Sequence, residues 1–170
     1  MSEKRILFVK LAAIGDVVLS LPAFARVREE NPEAKITWLV GHAAALLLQH
    51  QPGIDEVFSI DENIFWKKKP MALARLFVKL RARNFDRVFI LHWSPWFHRY
   101  FWLLGIPDRI GFAREGASFR LTQSAAYLEG EASLHDVNQY LHMVSPSLAA
   151  TGKVERPPVL HFSAGERTAF

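Results

Sequence analysis

Arg5 to Pro22 reads RILFVKLAAIGDVVLSLP, and this stretch decides the fold. An apolar run of strand type, Ile6 to Val9, ends in a small-residue loop at Ala12-Ala13. Gly15 and Asp16 follow, and an apolar helical pattern begins at once. A buried strand that opens through a glycine onto a helix is how α/β proteins build a ligand site at a sheet edge. The residue delivered to that edge is a carboxylate, Asp16. It is either an acid stabilised at a helix N-terminus by the helix dipole or a catalytic base, and spacing alone leaves both open. Gly15 allows close backbone approach or an unusual dihedral. The loop is neither G-x-G-x-x-G nor a Walker loop, which argues against a standard dinucleotide or triphosphate cradle.

The same alternation continues outward. Strand-like runs occupy Arg5–Lys10, Lys35–Val40, Glu56–Ile60 and Asp86–His92, with a short fifth at Asp108–Phe112. Nearly continuous apolar runs suit strands buried on both faces, as in parallel sheets. Helical patterns lie between them. The first covers Asp16 to Glu30, and Pro22 inside it means a kink or a late start with Ser20 as cap. Others cover His42–His50, Pro70–Arg83 and Pro95–Leu104. A last helix begins after Ser133, with Asp136 placed for a capping box and an apolar face of Val137, Tyr140, Leu141 and Val144. Strands alternating with helices predict an α/β fold, an open parallel sheet with helices on both faces.

Composition narrows the classes. The chain has 170 residues, half of them hydrophobic, enough for one sizeable core. No apolar run approaches the roughly 18 residues that span a bilayer. The start, MSEKRILFVK, lacks the apolar stretch and cleavage site of a secretory leader. Without cysteine, disulfides and thiolate chemistry are excluded, which fits a reducing cytoplasm. Glu155-Arg156-Pro157-Pro158 reads as a linker, and Ser163-Ala164-Gly165-Glu166 as the capping box of a helix the chain does not complete. The expected division is therefore a domain over residues 1–154 and a connection to a further domain over 155–170.

Two groups of residues besides Asp16 carry potential chemistry. Between Asn63 and Phe85 stand seven cations and no acid: Lys67, Lys68, Lys69, Arg75, Lys79, Arg81 and Arg83. Arg75, Lys79 and Arg83 are spaced for one helix face. The segment is a solvated face, or an anion-binding surface for a phosphorylated substrate or acidic lipid headgroups. Ile64, Phe65 and Trp66 just before it suit a membrane interface. The net charge of +4 is low for nucleic-acid binding, and no such motif appears. The second group is HWSPWFHRYFW, His92 to Trp102, at the end of the fourth strand where α/β sheets bind ligands. Most of these aromatics suit core packing. Trp93, Trp96 and His98 could instead line a sugar-binding wall, with Ser94 beside them and His98 and Arg99 placed to contact anions. His135 and His142 lack metal-ligand spacing, and no metal site is expected. A signalling receiver shares the α/β pattern, but Asp16 stands alone in its loop and Asp61-Glu62 lack companion acids.

Several segments together resemble one family. ILFVKLAAIGDVVLSLPAF, NPEAKITWLV, FDRVFILH, LGIPDRIGF, FRLTQ and HDVNQYLHMV run in the order found in the N-terminal half of the ADP-heptose:lipopolysaccharide heptosyltransferases, glycosyltransferase family 9. That resemblance implies the acceptor half of a GT-B fold, whose two Rossmann-like domains face across a cleft. It implies that Asp16, in the I-G-D loop, is the catalytic base of an inverting transfer that uses no metal and no cofactor. It implies a lipopolysaccharide inner-core acceptor and a nucleotide-sugar donor bound by a C-terminal domain beyond this sequence, so the isolated fragment is expected to be inactive. The basic segment would face the anionic core at the cytoplasmic surface of the inner membrane, with Gly15, Lys67–Lys69 and the His92–Arg99 residues in acceptor binding. Trp93 and Trp96 depart from the family, where basic residues often stand. The alternative is a non-catalytic module that binds a phosphorylated glycolipid.

Overall fold

The computed structural model describes residues 3–113, 118–129, 136–145 and 157–162. Its elements run β1 (Arg5–Val9), α1 (Ile14–Leu19), α2 (Leu21–Glu30), β2 (Lys35–Gly41), α3 (His42–Leu48), β3 (Glu56–Ile60), α4 (Asn63–Trp66), α5 (Pro70–Arg81), β4 (Arg87–Ile90), α6 (Pro95–Leu103), β5 (Asp108–Phe112), a 3-10 turn (Ser118–Arg120), β6 (Gln123–Ala125) and α7 (Asp136–Val144). The six strands form one sheet in the order β3-β2-β1-β4-β5-β6. Every pairing is parallel. The α/β sheet expected from the sequence is therefore present, and its order reverses between β1 and β4.

Period-two alternation sends Ile6 and Phe8 to one face of β1 and Leu7 and Val9 to the other, and all four are fully buried. The first face packs under α1, α2, α3 and α7, through Val17, Phe24, Leu48 and Tyr140 among others. The second packs under α4, α5 and α6, through Phe65, Leu76, Leu80, Phe97 and Phe101. Burial on both sides explains why the strands read as unbroken apolar runs. At the centre of the first face the Phe8 ring meets Trp38 at 4.6 Å and Phe24 at 5.5 Å, both edge-on.

Four details differ from the sequence reading. The helix expected over Asp16–Glu30 is two helices meeting at Ser20. Pro22 has no N–H to give to the preceding turn, so the first helix ends and Pro22 sits in the first turn of the second. Ser20 makes no side-chain cap; its hydroxyl donates back to the Val17 carbonyl at 2.8 Å. The one-turn helix α4 and the edge strand β6 were not anticipated, both being too short for a periodic signal. On α7, Met143 is buried where Leu141 was expected, and Leu141 is half-buried. Ser133 and the segments 155–156 and 163–170 lie outside the described residues. Within 157–162, Leu160 packs on the first core, and Gln51 Nε2 donates to the His161 carbonyl.

Charge pairs stitch the N-terminal edge of the sheet. Asp86 accepts the Arg5 amide, Asp55 accepts the Ile36 amide, Arg87 on β4 pairs with Asp108 on β5, and Arg83, in the loop after α5, pairs with Glu56 at the start of β3. The Arg83 guanidinium holds the Glu56 carboxyl below its usual range, against the opposing pull of burial. Truncating Trp38 to alanine is expected to lower the unfolding free energy by about 3–5 kcal/mol, as for a fully buried large aromatic. Urea denaturation of W38A checks it, and a loss below about 1 kcal/mol would show that the first core can collapse onto the space.

Candidate active site

The reversal of strand order places the C-terminal ends of β1 and β4 side by side, the position where open α/β sheets bind ligands. The β1 end delivers Lys10, Leu11 and the loop into α1, and the β4 end delivers His92, Trp93 and Ser94. Leu91 N still donates to the Val9 carbonyl, but beyond that pair the two strands part. The next buried donor, Leu11 N, is satisfied by His92 Nε2 at 2.9 Å. His92 therefore accepts at Nε2, so its neutral ring carries the proton on Nδ1. The ring stacks on Phe97 at 4.3 Å and is 7% exposed. Burial, helped by the nearby Lys10 charge, drives its pKa down to about 3.

Asp16 stands in the first turn of α1, whose N-cap residue is Ala13. Its carboxylate Oδ2 accepts from Lys10 Nζ at 2.9 Å. The two ends of this pair differ sharply in exposure: the lysine side chain is 4% exposed and the aspartate 39%. Lys10 follows Phe8 by two residues, so it points to the α1 and α7 side, where its ammonium lies 5.1 Å from the Tyr140 ring centroid. Burial pushes the Lys10 pKa below its ordinary value, and Asp16 and the more distant Asp136 oppose that shift. Burial, with the charges of Asp16 and Asp136, raises the Tyr140 phenol. The result is an acid held by one oxygen against a buried cation while remaining open to solvent.

Gly15 is in α1 and has no positive φ, so of the two roles its type allows, an unusual dihedral is not the one used. A Cβ at this position would meet nothing within 4 Å, which leaves open space beside Asp16. Across the edge, a Cβ on Gly41 would come within 2.6 Å of both the Leu11 carbonyl and Glu62 Oε2. The bare glycine lets the end of β2 pass under the loop, and it brings a second carboxylate, Glu62, to this edge.

Other expected site residues are redistributed. Trp93 continues the alternation of β4 and packs on the first face, flat against Phe112 at 4.5 Å with Tyr127 at its edge. Trp96 is on α6 and packs on the second face. The two indoles thus lie on opposite sides of the sheet, and the proposed wall of Trp93, Trp96 and His98 does not form. His98 is fully buried, which removes it from contact with an anion in solution. His92 is committed to Leu11 through Nε2. Ser94 caps α6, its Oγ accepting from Trp96 N at 3.4 Å. Arg99 is exposed on α6. Lys67, Lys68 and Lys69 are exposed in the loop from α4 to α5, and Lys69 pairs with Asp61 at 3.5 Å. Among the described residues no group of three or more His, Asp or Glu side chains could hold a metal ion.

Lys10 is the residue that the sequence reading missed. Its signal was a lysine two positions after a buried phenylalanine, on a strand whose pattern points that position inward. Gln139 was also missed: its amide accepts from Leu128 N and donates to the Leu128 carbonyl, fixing the segment after β6 to α7.

This fold and site define an α/β domain of the Rossmann-like kind found in GT-B glycosyltransferases, with an acid at the end of the first strand. No protein-family model matches the chain. It is 30% identical over 142 residues to a provisionally named glycosyltransferase of Haemophilus influenzae, covering 81% of this chain and 39% of that protein. It is 29% identical over 121 residues to the lipopolysaccharide core heptosyltransferase OpsX of the same organism, covering 68% of this chain and 33% of that protein. Among solved structures, a glycosyl transferase family 9 protein of Veillonella parvula superposes with a TM-score of 0.78 at 18% identity, over 99% of this chain and 48% of that one. The chain thus spans less than half the length of each of these proteins. The chain is similar in sequence to part of these glycosyltransferases and shares the fold of half of the family 9 structure.

Two outcomes follow from the site. Because His92 is neutral when folded and protonates near its ordinary value of 6.5 when unfolded, stability is fully present above about pH 6.5 and falls as the pH drops toward 3. His92→Gln keeps an acceptor for Leu11 N and removes the titration. It is expected to flatten that decline by a few kcal/mol, measured by urea unfolding between these limits; an unchanged slope would contradict the assignment. Lys10→Met removes a buried charge and leaves Asp16 to be hydrated. It is expected to change stability by less than about 1 kcal/mol, and a loss above about 3 kcal/mol would make the pair a structural keystone.

Proposed function

We propose that this domain is the acceptor half of an inverting glycosyltransferase, transferring heptose from ADP-heptose to the lipopolysaccharide inner core, with Asp16 as general base. The observation that carries the reading is the Asp16 carboxylate, fixed by buried Lys10 at the strand-order reversal and still open to solvent. A sugar hydroxyl is a weak nucleophile until a base accepts its proton during attack. In the proposed step Asp16 accepts that proton as the hydroxyl oxygen bonds to the anomeric carbon. The bond from that carbon to the diphosphate oxygen breaks on the opposite face, which inverts the centre. The nucleoside diphosphate departs with the bonding pair, and donors on a second, nucleotide-binding domain stabilise its charge.

Lys10 has the role of a positioning residue. A side chain with one oxygen bonded to a fixed ammonium loses the rotational freedom that would otherwise take it out of line. Lys67 and Lys68 are the residues proposed to meet an anionic acceptor, since both are exposed in the loop between α4 and α5. Arg99 is a further exposed cation on α6, the helix that follows the β4 end. The cytoplasmic location is part of the same proposal, because nucleotide-activated sugars are the donors it requires. No described helix is long and apolar enough to cross a membrane.

In a two-domain protein carrying this domain, Asp16→Asn is expected to lower kcat by at least about 10²-fold, the low end for losing a general base. Steady-state assays with ADP-heptose and inner-core acceptor measure it. Near-normal turnover would remove Asp16 from the chemistry and favour the reading as a glycolipid-binding module.

A further inference from the structure

We propose that the face formed by α5 and α6 is a docking surface for an anionic lipid bilayer. Both helices begin at the C-terminal edge of the sheet and run back along its second face. Tyr100 joins them, its hydroxyl donating to the Leu73 carbonyl at 2.9 Å. Between them lies an apolar groove of about 440 Å³, with Leu73, Phe77, Trp96 and Leu103 in its walls and Lys68 at one end. Eleven large hydrophobic side chains are exposed among the described residues, and five of them lie on α4, α5 and α6: Trp66, Met71, Val78, Trp102 and Leu103. Met71 is 70% exposed, Val78 67% and Leu103 52%. Of the five, Val78 and Leu103 stand in the groove walls, and exposed apolar side chains beside an apolar groove mark an interaction surface.

Charge selects the occupant. Neither α5 nor α6 contains an acid, and none occurs between Asn63 and Phe85. The structure divides the seven cations of that segment. Arg81 is used to cap α6 through the Leu104 carbonyl, Arg83 turns to Glu56 and the Phe58 ring, and Lys69 pairs with Asp61. Arg83 therefore leaves the face it was expected to share. Lys67, Lys68, Arg75 and Lys79 remain exposed and make no ion pair with another described residue. A second copy of this chain would set the same cations against one another. An anionic lipid surface offers what the face lacks: a sheet of negative charge over an apolar layer, with tryptophans at the boundary. The groove ends at Lys68, just before α5 begins at the C-terminal edge of the sheet, so a bilayer docked here holds lipid-borne headgroups toward the edge that carries Asp16. The proposal stands apart from the transferase reading, because its probe contains neither lipopolysaccharide nor nucleotide sugar.

The test is co-sedimentation of the chain with vesicles of phosphatidylethanolamine and phosphatidylglycerol, against vesicles of phosphatidylcholine. Binding to the anionic vesicles is expected at about 150 mM salt, where exposed charges are screened beyond roughly 8 Å, and weakening is expected as salt rises. Val78→Glu with Leu103→Glu should reduce binding by about tenfold or more, and Arg75→Gln with Lys79→Gln should reduce it and flatten the salt dependence. Leu46→Glu, at an equally exposed apolar position on α3, should bind as the parent does, and circular dichroism confirms that each variant is folded. Absence of binding to the anionic vesicles, equal binding to phosphatidylcholine, or equal loss in Leu46→Glu would overturn the proposal. So would a concentration-dependent dimer that the Val78→Glu, Leu103→Glu pair dissolves without any vesicle binding, which would assign the face to a second copy.

Discussion

The structure depends on how β1 parts from β4. These strands are neighbours in the sheet, but the chain leaves them toward opposite flanks, α1 to β2 and β3, α6 to β5 and β6. A cleft therefore has to open beyond their ends. The first backbone donor stranded by that opening is Leu11 N, deep in the interior, where an unpaired amide is costly. His92 supplies the missing acceptor from the opposite strand. One imidazole thus closes the ladder that the backbone cannot continue, and the loop carrying Asp16 is hung from it. The depressed pKa of His92 comes from its burial at this place, helped by the nearby Lys10 charge.

Lys10 shows a second constraint. The strand alternation turns its side chain inward, and burial disfavours its charge. Asp16, Asp136 and the face of Tyr140 compensate in part. A buried charge of this kind is weak evidence for stability; what the pair does in the structure is hold one carboxylate oxygen of Asp16. The pairs at the opposite edge are different in kind. Arg87–Asp108 joins the paired starts of β4 and β5, Arg83–Glu56 ties the loop after α5 to the start of β3, and both pairs are partly exposed on either side.

Much of the fold was legible in the sequence for a simple reason. Ile6 to Val9, Trp38 to Val40 and Val88 to Leu91 are continuous apolar runs, the pattern of strands in a sheet covered on both faces. Glycines and prolines marked the turns between them. The short elements were not legible: α4 and β6 are below the length at which periodicity shows, and the break at Ser20 depended on where Pro22 fell within its turn. In the candidate site, Asp16 was visible because loop, glycine and helix follow one another directly. Trp93 and Trp96 were misread as one wall because they are close in sequence. A strand residue and a helix residue three positions apart take directions that spacing alone does not relate.

By itself the sequence determined a parallel α/β domain with an acid at the end of its first strand, because alternation, turn chemistry and apolar continuity are local properties of the chain. Tertiary structure alone decided that Lys10 pairs with that acid, that His92 closes the cleft rather than lining it, and that α5 and α6 leave an apolar, cationic face outside. Each of these rests on which strand lies beside which, and strand order is set by the burial of the whole sheet rather than by any one stretch of it.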